Sequence, residues 1–260
     1  MSDMQNVVFT SCGNDSVALL QWAFDEGLTR VHACYSDTQW CSAEWPARVE
    51  LVSNWVTDNG GEFHIINSEG FANICKATRN QAFPSPASAF CSYELKIAPA
   101  KEWLDQHDPN KEATCLTGVR REESAKRALW PEWIEESENH GGRALWSPLV
   151  RHTETMRNAL ITRSGLPVLP HKSRECFPCV YAKAGTIREL TKADVDRVAG
   201  LEREMGVGKR SGKPKYMFRA TTHGGAEGIV EVVKWASHTK YIKGQEDLFG
   251  GGCDSGFCGD

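Results

Sequence analysis

Apolar and polar residues in the first part of the chain follow the period of a strand and then the period of a helix. The apolar run at residues 6–10 ends in a loop of small polar residues, and apolar residues at Val17, Leu20 and Phe24 then recur at helical spacing. This pattern predicts a strand, a loop over residues 11–16 and a helix that follows the loop directly.

The same two periods alternate as far as residue 163. Further strands are predicted at residues 30–36, 63–66, 113–117 and 145–150, and further helices at residues 44–57, 93–106 and 153–163. Residues 71–89 contain prolines and predict a loop over the site, and the acidic stretch 131–142 predicts a surface excursion. Because strands alternate with helices, the predicted fold class is α/β, a Rossmann-like parallel sheet of about five strands with helices on both faces.

The loop after the first strand has the composition of a phosphate-binding site. Its candidate ligands are Ser11, Cys12, Gly13, Asn14, Asp15 and Ser16. Small residues allow several backbone N–H groups to point into one concavity beside a helix N-terminus, which favours negative charge. The alternative is an ordinary turn in which Asp15 or Ser16 only caps the helix. Ligands of parallel sheets bind at the carboxyl ends of the strands, so Asp37, after the second strand, is expected beside the loop.

The division into domains follows from where the alternation stops. Residues 1–163 are predicted to form the nucleotide-binding α/β domain, and residues 164–243 a smaller basic subdomain that contains a Cys-x2-Cys pair. Residues 244–260 contain six glycines together with Cys253 and Cys258. This composition predicts a flexible tail.

Composition restricts the class of protein and its surroundings. The chain has 260 residues, and no apolar run approaches the roughly 18 residues that a membrane span requires. Its polar first residues do not resemble a signal peptide, so we expect a cytoplasmic protein with no membrane partner. Ten cysteines at uneven spacing indicate metal or redox chemistry and not a secreted disulfide framework.

Positive charge is concentrated in residues 171–219. This segment holds twelve Lys and Arg against six Asp and Glu, so its net charge is +6, and the net charge of −4 for the whole chain leaves −10 elsewhere. A basic segment permits a polyanionic partner such as a nucleic acid. The alternative is that these cations lie on solvated helix faces and bind no partner.

Four motifs occur in the order found in a known family. Residues 11–16 read Ser-x-Gly-x-Asp-Ser, which resembles the pyrophosphate loop of ATP pyrophosphatases, with Asn14 where that family often has Lys. Three further stretches resemble elements of the phosphoadenosine phosphosulfate (PAPS) reductase family of PP-loop proteins. They are residues 91–99, with Cys, Leu-Lys and Pro, residues 118–127, as Gly-x-Arg-x2-Glu-Ser-x2-Arg, and residues 174–179, as Arg-x-Cys-x2-Cys. The pattern is most similar to the ATP pyrophosphatase component of DNA phosphorothioation systems and to cluster-bearing adenosine phosphosulfate (APS) reductases.

These motifs supply candidates for phosphate chemistry. Cleavage of ATP between its α and β phosphates builds negative charge on pyrophosphate, which fixed cations stabilise. The predicted catalytic residues of the loop and the motifs are Asp15, Lys96, Arg120 and Arg127. The side chains of Lys96, Arg120 and Arg127 supply the positive charge that the missing loop Lys would otherwise provide. The resemblance adds Gly118, Glu123 and Ser124 to the predicted nucleotide-binding residues. The alternative for this stretch is an exposed helix whose Arg and Glu side chains pair at i,i+3 or i,i+4.

Cys176 and Cys179 form a Cys-x2-Cys pair, which can chelate one metal or close a redox disulfide. A structural zinc would need two further ligands, and Cys253 and Cys258 are candidates for them. The resemblance instead implies a [4Fe–4S] cluster bound by this pair together with Cys91.

The fourth ligand of this cluster and the role of the tail cysteines have alternatives at the level of sequence. Its fourth ligand would be Cys41, Cys75 or a cysteine of the tail, or the fourth iron would be open to a sulfide. The PAPS and APS reductases carry a nucleophilic cysteine in a C-terminal tail, and Cys258 resembles it; the alternative is an end whose two cysteines only pair or bind metal. His32, His64 and His152 have no partner at ligand spacing and are interpreted as structural.

Three functional hypotheses follow. The first is an enzyme that uses ATP with Mg²⁺ to adenylate a target and releases pyrophosphate. Sulfur from a donor such as a cysteine desulfurase is then installed on the target, for which a nucleic acid bound by residues 171–219 is the candidate. The second is a PAPS or APS reductase that makes sulfite through Cys258 with a thioredoxin-like reductant. The third is a non-catalytic subunit that binds a nucleotide or nucleic acid. A homodimer is compatible with each of them.

Overall fold

A computed structural model describes residues 5–85, 88–209, 211–218 and 223–238. The predicted tail at residues 244–260, with Cys253 and Cys258, lies outside the described residues. Within the described ranges, no helix combines the length and the apolar character that crossing a bilayer would require.

A six-stranded sheet forms the centre of the described residues. Its strands are β1 (Asn6–Thr10), β2 (Val31–Asp37), β3 (Glu62–Asn67), β4 (Thr114–Leu116), β5 (Trp133–Ser137) and β6 (Arg143–Trp146). Their order is β3-β2-β1-β4-β6-β5, and all neighbouring pairs are parallel except β5 and β6. The predicted α/β, Rossmann-like parallel sheet is confirmed. The prediction of a surface excursion over residues 131–142 is wrong, because this stretch contains the antiparallel edge strand β5.

Helices cover both faces of the sheet, as predicted. They are α1 (Asn14–Asp25), α2 (Trp45–Asp58), α3 (Phe71–Ala77), α4 (Phe90–Ser92), α5 (Ala98–His107), α6 (Glu154–Ser164), α7 (Ala184–Arg188), α8 (Lys192–Met205) and α9 (Ile229–His238), and a π-helical turn at Tyr93–Ile97 joins α4 to α5. Apolar residues of α1, α2 and α6 form one hydrophobic cluster with the sheet. Residues of α5 form another with Val7 and Phe9 of β1. The central strand is therefore buried from both sides, which fixes its carboxyl end and the loop that follows it.

A further hydrophobic cluster connects the C-terminal helices to the α/β part. Residues of α8 and α9 pack there with Trp40, with Leu95 and with Phe71, Ile74 and Cys75 of α3. The prediction that residues 71–89 form only a loop is wrong, because α3 buries these three residues at i, i+3 and i+4 spacing. The division into domains at residue 163 stays a prediction.

Candidate nucleotide and cysteine sites

The predicted phosphate loop is a tight turn between β1 and α1. Cys12 has a φ of 59°, and the Ser11 hydroxyl accepts the backbone N–H of Gly13 at 3.3 Å. The Ser16 hydroxyl donates to the Gly13 carbonyl at 3.2 Å. A Cβ atom on Gly13 would lie 3.0 Å from the Cβ of Ser173, so glycine allows a second segment to approach the loop closely. The loop thus presents small residues and a helix N-terminus at the carboxyl edge of the sheet.

That second segment, residues 169–173, is named the covering segment below. The Asn14 amide donates to the Leu169 carbonyl at 2.9 Å and accepts the Leu169 N–H at 2.9 Å. The Ser173 hydroxyl donates to the Ser11 carbonyl at 3.5 Å. Asn14, predicted as a phosphate ligand, therefore uses its side chain to hold the covering segment over the loop.

Asp15 lies at the centre of a buried group of charges. The Nε of Arg120 donates to the Asp15 carboxylate at 2.6 Å, and Nη1 of Arg157 lies 3.6 Å from the same oxygen. Only 6–7% of the Arg120 and Asp15 side chains is exposed. Among the described residues, Nη1 of Arg120 has no hydrogen-bond partner. A Cβ on Gly118 would lie 2.8 Å from the Asp15 carbonyl oxygen, so this predicted residue acts by permitting close packing.

A cavity of about 360 Å³ opens between the loop, the covering segment and the N-terminus of α6. It is lined by Ser11, Gly13, Asn14, Asp15, Arg120, Glu122, Glu123, Glu154, Arg157, Leu169, Pro170, His171, Lys172 and Ser173. Its volume falls within the range of small-molecule sites. The structure therefore brings six of the predicted site residues to one cavity.

Several other predicted residues have partners elsewhere. Lys96 and Glu175 form a buried ion pair at 2.5 Å, and Arg127 donates to Glu123. Burial raises the pKa of Glu123, and Arg127 opposes that shift. Neither Lys96 nor Arg127 lines the cavity described above. The predicted roles of these two cations in phosphate binding stay predictions.

The remaining predicted ligands support backbone turns. The Asp37 carboxylate accepts the backbone N–H of Gln39 at 2.8 Å, just after β2. The Ser124 hydroxyl accepts the backbone N–H of Arg127 at 3.3 Å. The carbonyl of Cys12 accepts Nε of Arg48 at 3.1 Å, and burial raises the pKa of the Cys12 thiol. These contacts shape the edge of the sheet beside the cavity.

Sequence reasoning missed the cations Arg157 and Lys172. Arg157 lies in the first turn of α6, which follows β6 and begins at the carboxyl edge of the sheet. That topology was the available signal, because a helix that starts at this edge points its N-terminus toward a bound ligand. Lys172 had no local signal, since only the contact between Asn14 and the covering segment brings it to the loop.

The thiols of the three cysteines predicted to bind metal lie near enough to interact electrostatically. Burial raises the pKa of Cys176, and the neighbouring thiols of Cys179 and Cys91 add to this shift, while the Lys96 ammonium opposes it. All three cysteines pack against the same hydrophobic cluster. Thiolates are ligands of both iron–sulfur clusters and zinc, so the residue types are compatible with either.

The candidate fourth ligands have different surroundings. Burial raises the pKa of Cys41, and the carboxylate of Asp37 adds to the shift. Burial alone raises the pKa of Cys75 to about 12, within the apolar packing of α3. Cys258 lies outside the described residues, so its predicted role stays a prediction.

Part of the positive charge in residues 171–219 is used in internal contacts. Arg174 forms ion pairs with Glu44 at 2.6 Å and Glu189 at 2.5 Å. Arg197 donates to the Cys41 carbonyl and lies over the ring of Trp40 at 4.5 Å. The charge excess of this segment therefore overstates what it presents to a polyanion, and binding of nucleic acid stays a prediction.

The chain matches a family model, a curated protein and solved structures. A family model described as phosphoadenosine phosphosulfate reductase domain matches residues 5–176. An uncharacterized 37.8 kDa protein of Escherichia phage 186 is 30% identical over 167 residues, which are 58% of this chain and 48% of that protein, so the chain spans about half the length of this curated relative. The crystal structure of PAPS reductase from Candida auris in a phosphate complex is similar with a TM-score of 0.43 and 18% identity, over 64% of this chain and 73% of that chain. Because the family model covers well over half of its residues, the chain belongs to the phosphoadenosine phosphosulfate reductase domain family.

Proposed function

We propose that the cavity binds ATP with Mg²⁺ and supports cleavage between the α and β phosphates, so that an acceptor is adenylated and then receives sulfur. The observation that carries this proposal is the balance of charge around the cavity. Four carboxylates line it, those of Asp15, Glu122, Glu123 and Glu154, against the three cations Arg120, Arg157 and Lys172. Asp15 and Glu123 are buried and paired with Arg120 and Arg127, whereas the side chains of Glu122 and Glu154 are 53% and 68% exposed. Carboxylate oxygens are the ligands that Mg²⁺ prefers, so these two exposed groups favour a nucleotide that binds together with Mg²⁺.

The proposed reaction uses the groups of the cavity as follows. An acceptor oxygen attacks the α phosphorus, the bond from that phosphorus to the bridging oxygen breaks, and pyrophosphate leaves with the electron pair. Arg120, Arg157 and Lys172 stabilise the charge that builds on the leaving group, and the N–H groups at the start of α1 hold a phosphate. Glu122 and Glu154 would hold Mg²⁺, which would neutralise phosphate charge.

A reductase activity is the second candidate. The family match favours it, because the matching model is that of the phosphoadenosine phosphosulfate reductase domain. In that reaction a cysteine thiolate would attack the sulfur of the bound sulfonucleotide, and a thioredoxin-like protein would supply the electrons that release sulfite. This candidate depends on Cys258, which lies outside the described residues.

One assay separates the two candidates. The full-length protein, purified without oxygen, is incubated with Mg²⁺-ATP or with PAPS and thioredoxin, and pyrophosphate and sulfite are measured. A DNA duplex or an RNA is supplied as acceptor in parallel samples. Pyrophosphate without sulfite supports adenylation, and sulfite that is lost in Cys258→Ser supports reduction. If neither product forms, both candidates are wrong and a binding subunit is the remaining reading.

Variants of exposed lysines connect the activity to the cavity. Lys172→Ala removes a cation from the cavity, so we expect a higher KM for the nucleotide. Lys192→Ala removes another exposed lysine, which pairs with Asp196 on α8, and we expect unchanged kinetics. Equal kinetics in the two variants would contradict the assignment of the cavity.

We also propose that Cys91, Cys176 and Cys179 hold a [4Fe–4S] cluster. Support comes from the electrostatic interaction of the Cys176 thiol with those of Cys91 and Cys179, and from the packing of all three against one hydrophobic cluster. Iron and acid-labile sulfide are measured in protein purified without oxygen, and serine variants of Cys176 and Cys179 should lose both. Zinc without iron would overturn the cluster in favour of a structural zinc site.

A further inference from the structure

A second group of potential ligands lies near the amino ends of β2 and β3, whereas the phosphate loop lies at the carboxyl end of β1. β2 and β3 are parallel neighbours, and their register pairs His32 with Glu62 and Cys34 with His64. The Nδ1 of His32 comes within 3.1 Å of the Nε2 of His64. The sequence interpretation that these histidines lack ligand partners is therefore wrong, because strand pairing joins residues that are 32 positions apart.

Glu62 completes a triangle of ligand atoms. Its Oε2 lies 3.7 Å from Nδ1 of His32 and 3.7 Å from Nε2 of His64. A point equidistant from all three atoms lies about 2.0 Å from each, which is the length of zinc bonds to imidazole nitrogen and carboxylate oxygen. We propose that His32, Glu62 and His64 form a binding site for a divalent transition metal, with zinc as the ion that fits them best.

The chemistry of the three groups favours zinc. Two imidazoles and one carboxylate are a donor set of protein zinc sites, and they leave a fourth position open to water. Oxygen-only ions such as Mg²⁺ and Ca²⁺ do not favour imidazole nitrogen. Without metal, the two imidazoles share a hydrogen bond in which one nitrogen donates and the other accepts, and the metal replaces that proton.

The three side chains differ in their exposure to solvent. The His32 side chain is 9% exposed and that of Glu62 is 69% exposed, so an ion would enter from the side of Glu62. Trp103 of α5 packs against His64, with ring centroids 4.9 Å apart, and limits movement of that imidazole. Because β3 is an edge strand, a bound ion would cross-link the edge of the sheet to β2.

Zinc titration of the full-length protein tests the site. Protein treated with a chelator is titrated with zinc by calorimetry, in parallel with His64→Ala and Glu62→Gln. His238→Ala is the matched control, because this exposed histidine bonds only its own helix α9 in the described contacts. We expect wild type and His238→Ala to bind one more equivalent of zinc than His64→Ala, and Glu62→Gln to bind that equivalent at least tenfold more weakly.

Cobalt distinguishes this site from the cysteines. Co²⁺ bound by thiolates gives a strong sulfur-to-metal charge-transfer absorption, whereas Co²⁺ bound by nitrogen and oxygen gives visible ligand-field bands without it. We expect ligand-field bands that disappear in His64→Ala and remain in His238→Ala. Circular dichroism and nucleotide cleavage should be unchanged in Glu62→Gln, which alters an exposed side chain. Equal zinc stoichiometry and affinity in wild type, Glu62→Gln and His64→Ala, or uptake that carries only the thiolate signature, would overturn the proposal.

Discussion

Arg120→Met tests the group of charges around Asp15. In the native protein Arg120 and Arg157 approach one Asp15 oxygen at 2.6 Å and 3.6 Å. At an effective dielectric constant of about 20, unit charges at these distances attract by about 6 and about 5 kcal/mol. Removal of one partner from a buried pair costs about 3–5 kcal/mol, because it leaves an uncompensated charge. Since Arg157 still compensates part of the Asp15 charge, we expect a loss near the lower limit, about 3 kcal/mol of the free energy of unfolding.

Urea unfolding measures this loss as a lower midpoint with an unchanged slope. The double variant Asp15→Asn/Arg120→Met carries no buried carboxylate at this position, so it should be more stable than Arg120→Met alone. Nucleotide binding should weaken in both variants, because each lacks the Arg120 guanidinium. The reasoning is refuted if Arg120→Met unfolds like the wild type, or if the double variant is less stable than Arg120→Met.

Three more predictions concern the loop and the core. Asn14→Ala removes both hydrogen bonds to the covering segment. It should therefore lose about 1–3 kcal/mol of unfolding free energy and bind nucleotide more weakly. Asn73→Ala, on the exposed face of α3, is the control and should show neither effect. Gly118→Ala forces its Cβ against the Asp15 backbone and should destabilise by about 1–3 kcal/mol in the same assay; an unchanged midpoint would contradict the close packing. Burial lowers the pKa of His140 from 6.5 to about 3, so the unfolded state binds more protons between these values. Unfolding free energy should therefore fall by about 2 kcal/mol from pH 7 to pH 5 relative to His140→Gln, and parallel pH profiles would count against this reading.

Local sequence patterns were sufficient for the central strands and insufficient at the edges. β1, β2, β3 and β4 are short apolar runs followed by loops or turns, and each lies close to its predicted position. β5 was missed because an edge strand tolerates charge, and its glutamates resemble a surface loop. The apolar spacing of α3 was present, but it spans only two turns and nearby prolines obscured it.

The candidate site was predictable where it follows the chain and unpredictable where segments meet. The loop and Arg120 were found because each belongs to a motif that follows a strand, and both strands end at the same edge of the sheet. Lys96 was assigned to phosphate from its motif, yet its ammonium contacts Glu175, a residue 79 positions away. Arg157 was missed because its pair with Glu154 at i,i+3 is typical of a solvated helix face.

Residues 169–179 are one continuous segment that runs from the nucleotide site to the cysteine site. One end is bonded to Asn14, and the middle is held where the Thr38 hydroxyl donates to the Glu175 carbonyl at 2.5 Å and where Trp40 accepts the Phe177 N–H at 2.7 Å. The other end carries the cysteine pair. Since these anchors lie in sequence along a single short segment, we expect local opening to expose both sites together. Amide hydrogens at the cysteine end should therefore exchange more slowly when a nucleotide occupies the loop, even though the nucleotide does not contact the cysteines.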